Sequence, residues 1–212
     1  MSRTIRNGDV VLVDGLEQGL ISWSIGLGTR LRHGPRTPLA RWTHVALIYD
    51  APPGGPDASG DEDAIKIVEA TGASGVHLAF LSKYPPQRRR IIHTDVDEQD
   101  WGEMRAFLDS VLSERATYGW ATYAGLTLYA VTGTKLCVQE AGTATCSGLV
   151  CDALTRRGIV WKRPPFACTP ADIAEELPPQ IPRLTSRDGP RHLSGQEPAG
   201  SSRATIRPRR SS

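Results

Sequence analysis

The strand that organises the predicted fold is Trp42-Thr43-His44-Val45-Ala46-Leu47-Ile48-Tyr49. Its β-branched and aromatic residues are typical of a buried or half-buried strand. A histidine ring inside such a strand costs free energy on burial unless it has hydrogen-bond partners. His44 is therefore a candidate functional residue, and the alternative is a structural histidine whose ring is satisfied or half exposed.

Strand and helix patterns continue on both sides of this stretch. Short apolar runs predict further strands, and Gly72 and Gly75 mark a turn between two of them. Apolar residues at three- and four-residue steps predict helices. The strands are Val10–Val13, Ile65–Ala70, Val76–Leu78 and Arg89–Thr94; the helices are Leu16–Leu31, Glu98–Ser113 behind an Asp97 cap, Tyr123–Val131, Cys146–Arg157 and Pro170–Leu177. This pattern indicates an α+β domain in which helices pack on a central antiparallel sheet.

By composition, the chain divides into a domain, residues 1–180, and a tail, residues 181–212. Inside the domain, the Pro-, Gly- and Asp-rich stretch Ala51–Asp63 predicts a long mobile connection. The tail has seven arginines and two acidic residues, so it carries a net charge of +5. The whole chain carries +2, which leaves a net charge of −3 on the domain. We expect a disordered Arg/Ser/Pro-rich tail, and binding of nucleic acid only weakly and only through it.

The sequence shows neither a secretory signal nor a membrane span. The most apolar stretch, Ala124–Val131, is far shorter than the roughly 20 residues that a bilayer requires. A cytoplasmic location with reduced thiols is the default expectation. The cysteines form no C-x-x-C pair, so no metal site is expected, and no pattern implies an organic cofactor.

The segment Thr145-Cys146-Ser147-Gly148-Leu149-Val150 places a cysteine at the start of a predicted helix. The partial positive charge and the N–H groups of a helix N-terminus favour a thiolate and can bind an oxyanion. The dipole contributes only about 0.3–1 kcal/mol, whereas lowering a thiol pKa from about 8.5 to about 6 takes roughly 3 kcal/mol. Cys146 therefore needs a cationic partner, and His44 is the best placed of the five histidines.

Glu69 is the candidate third member of the site. It lies on the strand that is predicted to follow that of His44 in a hairpin. From an antiparallel neighbour, a carboxylate can hold an imidazole in one tautomer, as the orienting residue of a triad does. A strand-end carboxylate without such a role is the open alternative.

The other cysteines, Asp9 and most of the aromatic residues are expected to have structural rather than catalytic roles. Cys151 is five positions past Cys146 on the helix and is expected in the core, and Asp9 is expected to cap a turn beside the first strand. Cys137 and Cys168 lie in predicted loops. Most of the aromatic residues are expected to pack in the core, with an acyl or peptide groove as the alternative; they are Trp23, Tyr118, Trp120, Tyr123 and Tyr129.

Four motifs follow one another along the chain: Gly8-Asp9-Val10-Val11-Leu12, Thr43-His44-Val45-Ala46-Leu47, Ile67-Val68-Glu69-Ala70 and Thr145-Cys146-Ser147-Gly148-Leu149-Val150. Together with Thr169-Pro170-Ala171-Asp172, this ordered set resembles the circularly permuted NlpC-type papain-like superfamily, which includes relatives of lecithin–retinol acyltransferase. The resemblance spans roughly residues 8–177. In that group the histidine strand precedes the nucleophile helix, which reverses the papain order.

The resemblance implies a permuted papain-like fold and a thiol hydrolase or acyltransferase of the cysteine peptidase or amidase kind. Cys146 would be the nucleophile at a helix N-terminus, His44 the base, and Glu69 the residue that aligns His44. The substrate would be an amide, ester or thioester, such as a peptide, a cell-wall peptide or a lipid-linked acyl group. The alternative is a non-catalytic binding or structural module on the same fold, for example a component of a larger particle or secretion assembly.

Overall fold

The computed structural model of the protein describes residues 4–15, 20–34, 36–53, 62–122, 124–125 and 142–177, with only the backbone of 20–23 and 32–33. Within these ranges the fold is α+β, as predicted. The strands are β1 Val10–Asp14, β2 Trp42–Asp50, β3 Lys66–Thr71, β4 Gly75–Phe80, β5 Arg89–Ile92, β6 Thr117–Tyr118 and β7 Thr143–Ala144. The helices are α1 Leu20–His33, α2 Glu98–Ser113, α3 Cys146–Arg156 and α4 Pro170–Glu176.

Five strands form one antiparallel sheet in the order β4-β3-β2-β1-β5. The strand that carries His44, β2, lies at its centre. One face of β2 packs with α2, α3 and α4, through residues such as Leu47, Met104 and Leu149. The other face packs against Leu81 and Tyr84, in the segment that follows β4. Burial on both faces explains why the β2 sequence is apolar almost throughout.

A β-bulge lies next to His44. Val13 of β1 lies opposite His44, but the next residue, Asp14, lies opposite Trp42, so Thr43 is the extra residue. The Thr43 hydroxyl accepts a hydrogen bond from the Gly15 N–H at 3.0 Å and so stabilises the irregularity. Bulges change the direction in which neighbouring side chains point. The site residue therefore lies at a break in the regular alternation of its strand.

Most predicted elements are confirmed within a few residues, and two need correction. The last sheet strand ends at Ile92 rather than Thr94, because the Thr94 N–H and hydroxyl donate to Asp9 Oδ1 and the Gly8 carbonyl instead. The polar sequence Gly133–Thr145 predicts a loop, but its described part contains β7, which pairs in parallel with β6. Several predictions lie outside the described residues: those on the start of the first helix, on residues 54–61, on most of Tyr123–Val131, on Cys137 and on the 181–212 tail.

Candidate active site

Cys146 is the first residue of α3, and the local sequence explains why the helix begins there. Thr145 has an extended backbone, and its Oγ1 accepts a hydrogen bond from the Gly148 N–H at 3.1 Å, which is a helix N-cap. A Cβ at position 148 would lie 2.9 Å from Thr145 Oγ1, so a larger residue there would have to displace the capping hydroxyl. The Ser147 hydroxyl donates to the Cys168 carbonyl at 2.6 Å and ties this first turn to the segment before α4. Cys146 is consequently held in place and is only 4% exposed.

The structure brings Cys146, His44 and Glu69 together. His44 Nε2 lies 2.7 Å from Glu69 Oε2, and the two residues lie on the paired strands β2 and β3. The Cys146 side chain lies close enough to the His44 ring to raise the pKa of that ring. Because Glu69 engages Nε2, Nδ1 is the ring nitrogen left for the thiol. The three residues form a row of thiol, imidazole and carboxylate, called here the Cys146–His44–Glu69 row.

Glu69 has four hydrogen-bonding or ionic neighbours and no exposed side-chain surface. Tyr84 Oη donates to Oε2 at 2.6 Å, on the same oxygen as His44. On the other oxygen, Oε1, Lys83 Nζ donates at 2.5 Å and His77 Nε2 lies 3.3 Å away. A carboxylate accepts hydrogen bonds and donates none, so it matches this ring of donors.

The pKa values of the row follow from burial and from its charges. Burial lowers the pKa of His44, but its interactions with Cys146 and with the Glu69 carboxylate raise it to about 9. Burial raises the pKa of Glu69, whereas hydrogen bonds from His44, Lys83 and Tyr84, and the charge of His44, lower it to about 2. Burial and the nearby Glu69 charge raise the pKa of Tyr84, so its phenol stays protonated as a donor. At neutral pH the row contains an imidazolium and a carboxylate.

Sequence reasoning missed the three groups that surround Glu69. His77 lies directly opposite Glu69 in the β3–β4 register, so pairing the two strands across the Gly72–Gly75 turn would have found it. Lys83 and Tyr84 lie at the end of a short 3-10 turn, Leu81–Lys83, after β4. No motif or spacing marks them, because only the return of the chain beneath β2 and β3 brings them to Glu69.

Stability is expected to depend on pH through His44 and Glu69. The pKa of His44, about 9 when folded, exceeds the ordinary 6.5, so its contribution is complete below pH 6.5 and is lost as pH rises through 9. The pKa of Glu69, about 2 when folded, lies below the ordinary 4.5, so its contribution is complete above pH 4.5 and is lost as pH falls towards 2. Urea unfolding should show the unfolding free energy falling by roughly 2–3 kcal/mol on the alkaline side.

The control for this pH dependence is His44→Gln. Its unfolding free energy should no longer decline between pH 6.5 and 9, because glutamine does not titrate. An alkaline decline of equal size in wild type and in His44→Gln would assign the effect to other groups.

The structural interpretations of Cys151 and Asp9 are confirmed. Cys151 is fully buried, and burial raises the pKa of its thiol. Asp9 accepts the Arg6 N–H at 3.0 Å within a turn, and it also contacts His93 Nδ1 at 2.8 Å. Both therefore have structural partners away from the row.

The aromatic residues divide between core and surface. Tyr118 is 7% exposed and belongs to the core, whereas Trp120 is 49% exposed and does not. Its indole lies against Gly72, where a Cβ would be 2.6 Å from Trp120 Cζ2. The side chains of Trp23, Tyr123 and Tyr129 lie outside the described residues.

Two other kinds of site can be considered in the described part of the chain, a metal centre and a membrane-spanning helix. No cluster of three His, Cys, Asp or Glu side chains in this part of the chain is arranged to hold a metal ion. No helix there has the length and apolar character needed to cross a membrane. Comparison with known proteins identifies no relative: no protein-family model matches the chain, and neither does any curated protein.

Proposed function

We propose that the protein is a cysteine-dependent hydrolase or acyltransferase with a circularly permuted papain-like fold. Cys146 is the nucleophile, His44 the acid and base, and Glu69 the residue that orients His44. The observation that carries the proposal is the Cys146–His44–Glu69 row, in which His44 lies 2.7 Å from Glu69 and next to Cys146. The histidine strand, which belongs to the antiparallel sheet, precedes the cysteine helix along the chain. This order agrees with the permuted arrangement that the sequence motifs resemble.

Two features support a nucleophilic role for Cys146. Its neighbour His44 carries a positive charge at neutral pH, since its pKa is raised to about 9, and an adjacent cation stabilises a thiolate. Cys146 also starts an 11-residue helix, whose first-turn N–H groups favour negative charge on the thiolate and on an oxyanion. The helix N-terminus and the imidazolium both act on the same sulfur and in the same direction.

The reaction follows from these groups. The Cys146 thiolate adds to an amide, ester or thioester carbonyl carbon, and the carbonyl electron pair moves to oxygen. When the tetrahedral intermediate collapses, the bond to the leaving amine, alcohol or thiol breaks, and His44 gives that group its proton. His44 then takes a proton from water or from another acceptor, which attacks the Cys146 thioester and releases the acyl group.

A second candidate function is a non-catalytic binding or structural module on the same fold. The burial of Cys146, with only 4% exposed, favours it, because a substrate carbonyl must reach the sulfur. In that case the row stabilises the sheet and performs no acyl transfer. The two candidates differ in whether Cys146 reacts with an acyl donor.

Detection of an acyl-enzyme tests the proposal. Wild-type protein is mixed with excess p-nitrophenyl acetate or a small acetyl thioester, quenched in acid within seconds and analysed by intact mass and peptide mapping. We expect one acetyl group, located on Cys146, because an acyl-enzyme accumulates when its hydrolysis is slower than its formation. Hydrolysis of both substrates should exceed the rate in buffer.

Two variants control this experiment. Cys146→Ala should remove the label and reduce hydrolysis to the buffer rate, a loss on the order of 1000-fold or more. Cys151→Ala removes a fully buried thiol from the same helix and should keep both label and turnover. Acetylation confined to other residues, or unchanged turnover in Cys146→Ala, would favour the non-catalytic module.

A further inference from the structure

Glu69 is shared between two cations. Its Oε2 faces His44, and its Oε1 accepts a hydrogen bond from Lys83 Nζ at 2.5 Å. The Glu69 side chain has no exposed surface, whereas that of Lys83 is 45% exposed. Lys83 Nζ also lies 5.3 Å from the centre of the Tyr84 ring, whose hydroxyl binds the same carboxylate. The lysine ammonium is therefore held against both the carboxylate and an aromatic face.

We propose that Lys83 is a positioning residue that offsets part of the Glu69 charge and thereby sets how strongly His44 holds its proton. The inference rests on the proposed function, because it deepens the description of the same site. A buried carboxylate with a single cationic partner acts on that partner with its full charge. A second cation on its other oxygen weakens the field at the first. His44 can then return its proton to a leaving group more readily.

Lys83 has a geometric effect as well. Its bond to Oε1 fixes the rotation of the carboxylate, so that Oε2 stays directed at His44 Nε2. An imidazole held through Nε2 keeps Nδ1 towards the thiol. The charge effect and the geometric effect can be separated, because a neutral hydrogen-bond donor at position 83 preserves only the second.

The groups that face Glu69 and His44 come from three other parts of the fold. They are His77 on β4, Lys83 and Tyr84 in the segment after β4, and Cys146 on α3. Tyr84 is neutral and cannot replace a lost cation. His77 lies on the same oxygen as Lys83, so its ring signals are recorded in the same spectra.

The experiment is an NMR titration of the histidine rings in the full chain. The His44 signal is assigned by its loss in His44→Gln. Wild type is compared with Lys83→Met, Lys83→Gln and Lys83→Arg. The matched control is Lys66→Met, since Lys66 is also 45% exposed and bonds a half-exposed carboxylate, Asp50, at 3.3 Å.

Lys83→Met and Lys83→Gln are expected to move the His44 midpoint upward from about 9 by roughly 0.5–1 pH unit. Lys83→Arg should restore it, and Lys66→Met should leave it unchanged. Position 83 is half exposed, so these variants should fold, and Lys83→Gln keeps a donor for Oε1 should Lys83→Met lose stability.

The outcomes separate this inference from the proposed function. A His44 midpoint near the ordinary 6.5 in wild type would remove the imidazolium on which the proposed function depends. A midpoint near 9 in wild type that stays unchanged or falls in both neutral Lys83 variants would overturn the role of Lys83 alone. An equal upward shift in Lys66→Met would also overturn it, because the effect would then be one of general surface charge.

Discussion

Glu69→Gln is expected to lower the free energy of unfolding by about 2–3 kcal/mol at neutral pH, although the side chain keeps its size and shape. Tyr84, Lys83 and His44 direct donor groups at the buried carboxylate, and His77 Nε2 lies 3.3 Å from it. An amide has an NH₂ group in place of one carboxylate oxygen, and that group donates but does not accept hydrogen bonds. At least one of the donors around Glu69 therefore loses its acceptor. The imidazolium of His44 loses its counter-charge at the same time, so we expect its pKa to fall from about 9.

Asp50→Asn is the matched control for this prediction. The Asp50 carboxylate also bonds a lysine, Lys66, but it is 48% exposed. Exposed ion pairs contribute roughly 0–1 kcal/mol, so this variant should lose less than about 1 kcal/mol. Urea unfolding of both variants is the measurement, and equal losses would show that the buried setting of Glu69 does not matter.

Much of the sheet could be predicted because hydrophobic pattern and turn residues determine it locally. The β-branched and aromatic residues of β2 indicated a strand, and it lies at the centre of the sheet. The Asp97 cap of α2 was also predictable, since its side chain accepts from the Asp100 N–H. The parallel β6–β7 pair was not, because two-residue strands carry no periodicity and depend on contacts between distant segments.

The three residues of the row were predicted from residue type and chain order, and the structure places them in contact. Their surroundings were harder to predict. A histidine in a buried strand indicates that partners exist, but it does not identify them. The bulge at Thr43 and the return of Lys83 and Tyr84 to Glu69 depend on how β1, β2, β3 and the segment after β4 pack together. Such long-range geometry leaves no local signal in the sequence.

The second large effect is expected at Cys146 when its basic partner is removed. In His44→Ala, alkylation of Cys146 by iodoacetamide near pH 6.5 should slow on the order of 100-fold. Only about 1% of an ordinary thiol with a pKa of about 8.5 is ionised at that pH, and the thiolate is the reactive species. The helix N-terminus remains, but its dipole contributes only about 0.3–1 kcal/mol and cannot compensate.

The most direct test is the full pH dependence of this alkylation, read at Cys146 by peptide mass spectrometry in wild type and in His44→Ala. We expect the wild-type rate to stay high well below pH 8, and the rate near neutral pH to drop once His44 is removed. That result would establish the activated thiolate–imidazolium pair on which the proposed hydrolase or acyltransferase depends. If Cys146 becomes reactive only near pH 8.5 in both proteins, as an ordinary thiol does, the enzymatic function is contradicted and the binding module is the better description.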